Sequence, residues 1–189
     1  VTREGWLDDA VYRIRNDVFF PLVTAIGDVP PPVRVSVGFP SKNALSRRRR
    51  TIGQCWRASA SSDGIPQILI SPLLGDGVEV LATLAHEMIH ALRPDAGHKK
   101  AFQVIAERIG LVAPWTATTA GEGLRARLNA IIEELGPYPH SPLNPSLLTN
   151  RRQSTRLRLY ECACPVKVRV ASDDFAATCN VCDHPFERR

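Results

Sequence analysis

His86, Glu87 and His90 stand at the spacing H-E-x-x-H within the segment VEVLATLAHEMIHAL, residues 78–92. The segment has no glycine or proline and is rich in helix formers, so it is expected to be a buried helix. On a helix, side chains at i and i+4 stand one above the other, and two imidazoles so placed can share one metal ion. Zinc takes neutral nitrogen ligands, and a catalytic zinc keeps three protein ligands and one open position for water. Glu87 is adjacent to His86 and lies off the line joining the histidines. A carboxylate there can take a proton from metal-bound water and later deliver it to a leaving amine, so the expected reaction is hydrolysis of a peptide bond. The bland alternative is two surface histidines on an ordinary helix. Against it, burying two histidines and a glutamate in so apolar a segment without a metal is costly.

A third ligand is required, and His98 is the candidate. It follows a loop containing Pro94 and Gly97, which can reverse the chain. If residues 98–110 form a helix, Phe102, Ile105 and Ile109 share the face of His98, which then points inward. Glu107, the acidic alternative, falls on the opposite face and is expected to meet solvent.

A second cluster comes from cysteine. Cys162 and Cys164, then Cys179 and Cys182, offer four thiolates in two close pairs, the pattern of a zinc ribbon. VKVRV (166–170) between them alternates as a ribbon strand would. A module of this size has too little core to fold without a staple, which favours structural zinc over free thiols. His184 could replace a cysteine; the alternative is an exposed residue of the tail. Cys55 stands alone: it reads either as a small buried residue beside a strand or, more sharply, as a thiolate that transiently caps the catalytic zinc.

These residues need a scaffold. Leu7, Val11, Ile14, Val18, Leu22 and Ile26 form the stripe of an amphipathic helix over 6–26, with Pro21 marking a kink or an early end. VRVSVGF (33–39) alternates like a half-buried strand, and SKNALSRRRR reads as a polar loop. GQCWRAS (53–59) and PQILIS (66–71) flank an Asp63-Gly64 turn signal and read as a hairpin. A further amphipathic helix places Leu124, Leu128, Ile131 and Leu135 on one side, and Gly136 stops it. Residues 136–150 carry four prolines and read as a linker. The expected organisation is a catalytic domain over 1–135, a Pro-rich and basic linker over 136–155 and a zinc ribbon over 156–189. The expected class is α+β, with helices packed on a small mixed or antiparallel sheet.

The chain has 189 residues and a formal charge of +5. Arginine is concentrated at Arg47, Arg48, Arg49 and Arg50 and again at Arg151, Arg152, Arg156 and Arg158. Such clusters attract polyanions through counterion release; the bland reading is a solvated basic loop. Aromatic residues near the second cluster are few, so DNA binding without sequence readout is the expectation. No apolar run approaches the ~20 residues of a membrane span, and the N-terminal residues lack a signal-peptide pattern. A cytoplasmic location follows, nucleoid-associated if the source is bacterial, with a monomer as the expected state.

Taken together, Gly53-Gln54-Cys55, Leu69-Ile70-Ser71 with Pro72-Leu73-Leu74, Thr83 to Ala91, and Gly97-His98 with Phe102 resemble the SprT-like family, which includes the Spartan proteases of DNA–protein crosslink repair. With the C-terminal cysteines the resemblance extends to most of the chain. It implies a zincin-like fold, His86, His90 and His98 as zinc ligands, Glu87 as the catalytic acid and base, and a strand such as 66–71 bordering the cleft and able to pair with an extended substrate. It also associates the accessory zinc module with DNA. The chain departs from Spartan-type members in a shorter loop between His90 and His98 and a longer segment 56–66.

The leading expectation is therefore a metallopeptidase with two zinc ions per chain, one catalytic and one structural, acting on protein bound or crosslinked to DNA. Two alternatives stand beside it: a zinc-bearing nucleic-acid or transcription-associated protein with a vestigial peptidase centre, and a regulatory protease that does not need DNA.

Overall fold

The N-terminal apolar stripe forms one helical run in a computed structural model that describes residues 1–147 and 157–189. Thr2 starts it by accepting the Gly5 N–H at its hydroxyl, and α1 spans Arg3–Arg13. Sequence reading placed the disturbance at Pro21; it comes earlier, as a π-helical stretch over Ile14–Phe19 before α2, Phe20–Val23. Proline has no N–H, and its ring crowds the carbonyl four residues back, so the turns preceding it widen. Trp6, Leu7, Ala10, Ile14, Val18 and Phe19 are all buried.

Three short strands follow: β1, Arg34–Val37; β2, Gly53–Trp56; and β3, Gln67–Ile70. The sheet order is β1-β3-β2, with β1 parallel and β2 antiparallel to β3. This corrects one expectation. The strand within 66–71 is central, hydrogen-bonded on both sides, and cannot accept a further strand; the edges are β1 and β2. Ser71 N–H donates to Ile52 O at 2.8 Å, so in this register the backbone groups of Gly53 and Cys55 point away from β3.

Helix α3, Gly77–Leu92, begins at Asp76, whose carboxylate accepts the Glu79 N–H at 2.8 Å. It packs against β2, β3 and the later helices, and every residue from Val80 to Ile89 is buried. Helix α4, Lys100–Ile109, starts two residues after His98 and ends at Gly110, whose φ of 95° suits a left-handed cap. A hairpin that sequence reading passed over comes next: β4, Leu111–Val112, pairs with β5, Thr119–Ala120. Helix α5, Glu122–Leu135, buries Leu124, Leu128 and Ile131.

Residues 136–143 were expected to be linker, yet they pack on the first unit. Gly136 O accepts the Trp6 indole N–H at 3.0 Å, Tyr138 is buried against Trp6, and Leu143 N–H donates to Pro72 O at 2.9 Å. Proline richness here fixes an extended strap with few donors to satisfy. The chain divides into two units, Val1–Pro145 and Ser146–Arg189.

The second unit is a small sheet of order β7-β6-β8, formed by β6, Arg158–Glu161, β7, Lys167–Val170, and β8, Glu187–Arg188. Among its described residues, Tyr160 and Cys179 are buried. The architecture as a whole is α+β, with helices and small sheets.

Candidate metal centre

Helix α3 delivers His86 and His90 one turn apart, and their rings converge with that of His98. The three Nε2 atoms lie 3.2 Å from one another, pair by pair. Tetrahedral coordination at the zinc–imidazole bond length sets neighbouring nitrogens about 3.3 Å apart, so the set fits one zinc ion. Three ring nitrogens this close cannot all be satisfied by mutual hydrogen bonds, because each neutral imidazole carries one N–H and one lone pair. A cation shared by three lone pairs resolves the conflict.

His98 arrives by a different route from the one its sequence suggested. It precedes α4 and lies outside it, brought round by Gly97 at φ 52°. The Gln103 side chain holds its backbone carbonyl at 2.8 Å. Phe102, fully buried, is nearly equidistant from the three rings, with centroids at 4.8, 4.9 and 5.0 Å from His86, His90 and His98. This apolar floor desolvates the site. Burial, and then the neighbouring imidazoles, push the His86 pKa down to about 3 and that of His90 to about 4. Burial lowers His98 as well. The neutral, ligating form is thereby favoured. Glu107 is exposed, as expected for the far face of α4.

The ring of His86 is held from its other side too. Its Nδ1 lies 2.8 Å from the Thr118 hydroxyl, which comes from the residue before β5. Sequence reading did not single out Thr118. The run Thr116-Ala117-Thr118-Thr119 shows only a polar loop, and its approach to His86 depends on how the β4–β5 hairpin docks.

Glu87 turns toward β2, 7% exposed. Burial raises its pKa to about 8, opposed in part by the backbone N–H of Cys55, which donates to the carboxylate. Contact is close because position 53 is glycine: a Cβ there would stand 2.6 Å from Glu87 Oε1 and 2.7 Å from Thr83 Cγ2. Cys55, half-buried in the same wall, has its thiol pushed up to about 12 by burial and by Glu87.

A cleft of about 780 Å³ opens over these groups. Residues 50–55 form one side and Thr116 to Ala120 contribute to its lining, as do the three histidines and Glu87. Arg50, the last of the expected basic run, reaches the cleft, and Arg47, Arg48 and Arg49 are exposed beside it in sequence.

In the second unit, the Sγ atoms of Cys162, Cys164, Cys179 and Cys182 lie within 4.8 Å of one another. Thiolates around a tetrahedral zinc stand about 3.8 Å apart, and the Cys164–Cys179 distance of 3.7 Å fits. Cys162 and Cys164 are closer, at 3.0 Å, short of that separation. The backbone N–H of His184 brings the Cys182 thiol down to about 6, while the hydrogen bond with Cys164 pushes Cys162 up to about 12, so negative charge in the cluster settles first on Cys182. His184 itself is exposed; its Nδ1 meets the Cys182 carbonyl, and the ring also interacts with the Cys182 thiol. Both clusters could hold a metal ion. Arg158 lies on β6, with its guanidinium on Asp173 and the Ala171 carbonyl. Arg151, Arg152 and Arg156 lie outside the described residues. Among the described residues, no helix is long and apolar enough to cross a membrane.

Compared with family models, curated proteins and solved structures, the chain matches none.

Proposed function

We propose that this chain is a zinc-dependent metallopeptidase with a zincin-like catalytic domain and a structural zinc ribbon, acting on proteins bound or crosslinked to DNA. The observation that carries the reading is the convergence of three Nε2 atoms at 3.2 Å beside a buried glutamate from the same helix. When bound, a divalent cation would supply Lewis acidity, lowering the pKa of water toward ~7 and polarising a carbonyl.

The chain's own groups do the rest. His86, His90 and His98 would hold the ion, with Phe102 packed against all three rings. Glu87 receives the proton of the attacking water and passes it to the nitrogen of the departing amine. An extended substrate pairs along the outward backbone groups of β2 at Gly53 and at the Cys55 carbonyl, within the cleft wall, the Cys55 N–H being taken by Glu87. The exposed Arg47 to Arg50 run leads into that cleft and would hold DNA beside it through phosphate contacts without sequence readout.

The test compares wild type with Glu87→Gln on a DNA-binding protein substrate, with and without DNA. Wild type cleaves in the presence of DNA, and the variant retains zinc but loses activity by about 10²-fold or more. Cleavage indifferent to DNA removes the DNA-directed role. No cleavage by wild type under either condition removes the peptidase.

A further inference from the structure

A histidine ligand needs more than the right position on a helix. The ring can still rotate, and a neutral imidazole carries its proton on either nitrogen; with the proton on Nε2, no lone pair faces the metal. At His86 the second nitrogen meets the Thr118 hydroxyl at 2.8 Å. We propose that Thr118 is a positioning residue of the metal centre: its Oγ1 accepts the His86 Nδ1 proton, locking the ring plane and the tautomer that leaves Nε2 free to ligate. This rests on the reading of His86, His90 and His98 as a metal site.

The hydroxyl is itself held by the fold. Val112 pairs with Thr119 in the β4–β5 ladder, and Gly121 N–H donates to Gly110 O at 2.9 Å, tying the hairpin to the end of α4 and the start of α5. Gly121 must be small, since a Cβ there would stand 3.0 Å from that same carbonyl oxygen. Thr118 is therefore presented by a braced hairpin. The other two ligands differ: among the described residues neither His90 nor His98 shows a partner at Nδ1, and Gln103 secures only the His98 backbone. His86, the most buried of the three, is the ring whose orientation is set from both sides.

The test is zinc affinity of the full chain, with the cysteine site filled first and the histidine site titrated by competition with a chromophoric chelator. Loss of such an outer partner weakens metal binding by about 10–100-fold, and Thr118→Val is expected to do so. Thr118→Ser, which restores the hydroxyl, is expected to return affinity to within a few-fold of wild type. Metal-free melting temperatures should match for all three, since Thr118 is half-buried and valine has the same shape. Long-range proton–nitrogen spectra of the metal-free wild type should show His86 protonated at Nδ1, a readout independent of how any variant folds. Equal affinity for Thr118→Val and wild type, failure of serine to rescue, or a His86 protonated at Nε2 each overturns the assignment. A wild type that takes up no zinc at the histidines overturns the metal-site reading instead.

Discussion

Replacing Gly53 with alanine adds one methyl group where the edge strand meets the helix that carries His86, Glu87 and His90. The new Cβ would lie 2.6 Å from Glu87 Oε1, 2.7 Å from Thr83 Cγ2 and 2.9 Å from Glu87 Cγ. Ordinary contact begins at 3.4 Å, so the Glu87 carboxylate must retreat by about 0.8 Å or the strand must lift away from the helix. Both partners are buried. Overpacking of this kind costs about 1–3 kcal/mol, a melting-temperature drop of roughly 2–12 °C for a unit of this size. Displacing the carboxylate proposed as acid and base by nearly 1 Å should lower kcat/KM by about 10²-fold while zinc content stays at wild-type level, because the histidines are untouched. Adding Thr83→Ser removes one of the three clashes and should recover part of the stability but not the activity. Gly123→Ala is the control: it lies in α5 with nothing within 4 Å of a Cβ, and should leave activity alone and raise stability by about 0.5–1 kcal/mol. Calorimetry and a peptide-cleavage assay read both quantities. A Gly53→Ala protein that melts and cleaves like wild type would refute the packing argument.

Glu87→Gln should also change the pH dependence of metal-free stability. The Glu87 pKa is raised from 4.5 to about 8 on folding, so its contribution is fully present below 4.5 and lost as pH rises through 8. Urea denaturation of the chelated protein at pH 9 should find Glu87→Gln more stable than wild type, with the advantage gone below pH 4.5; a gap that widens on acidification contradicts the assignment. In the second unit, Cys164→Ser should release one zinc per chain, measured by elemental analysis, and abolish the protected amides of the β6–β7 ladder while the histidine site keeps its metal. Substituting Arg47 to Arg50 together with alanine should reduce the slope of log affinity for DNA against log salt by about 3 to 4, read from binding titrations across salt.

Local chemistry made much of the site legible. H-E-x-x-H on a glycine-free apolar helix carries its own geometry, and α3 spans Gly77–Leu92 where 78–92 was expected. His98 was reached by assuming that it shared a helical face, whereas it lies in the turn before α4. The assumption was unnecessary, because the positive φ at Gly97 steers the chain. Sheet order was not legible: two strands joined through an Asp-Gly turn read as a hairpin whichever of them lies outside, and β3 became central only because β1 adds to it in parallel from a distant part of the chain. Thr118 escaped for the same reason, its role arising from tertiary docking and from no pattern in residues 111–120. The prolines of 136–145 suggested a free linker, but rigidity in PPII-like segments serves a docked strap equally well, and Trp6 and Pro72, far away in sequence, decide the matter.

The claim on which the function rests is tested most directly by an anomalous difference map at the zinc edge from crystals of the zinc-loaded protein. Two peaks per chain are predicted, one of them about 2.0–2.1 Å from the Nε2 atoms of His86, His90 and His98 together. Density for zinc among the four cysteines alone, with the three rings turned apart, would contradict it.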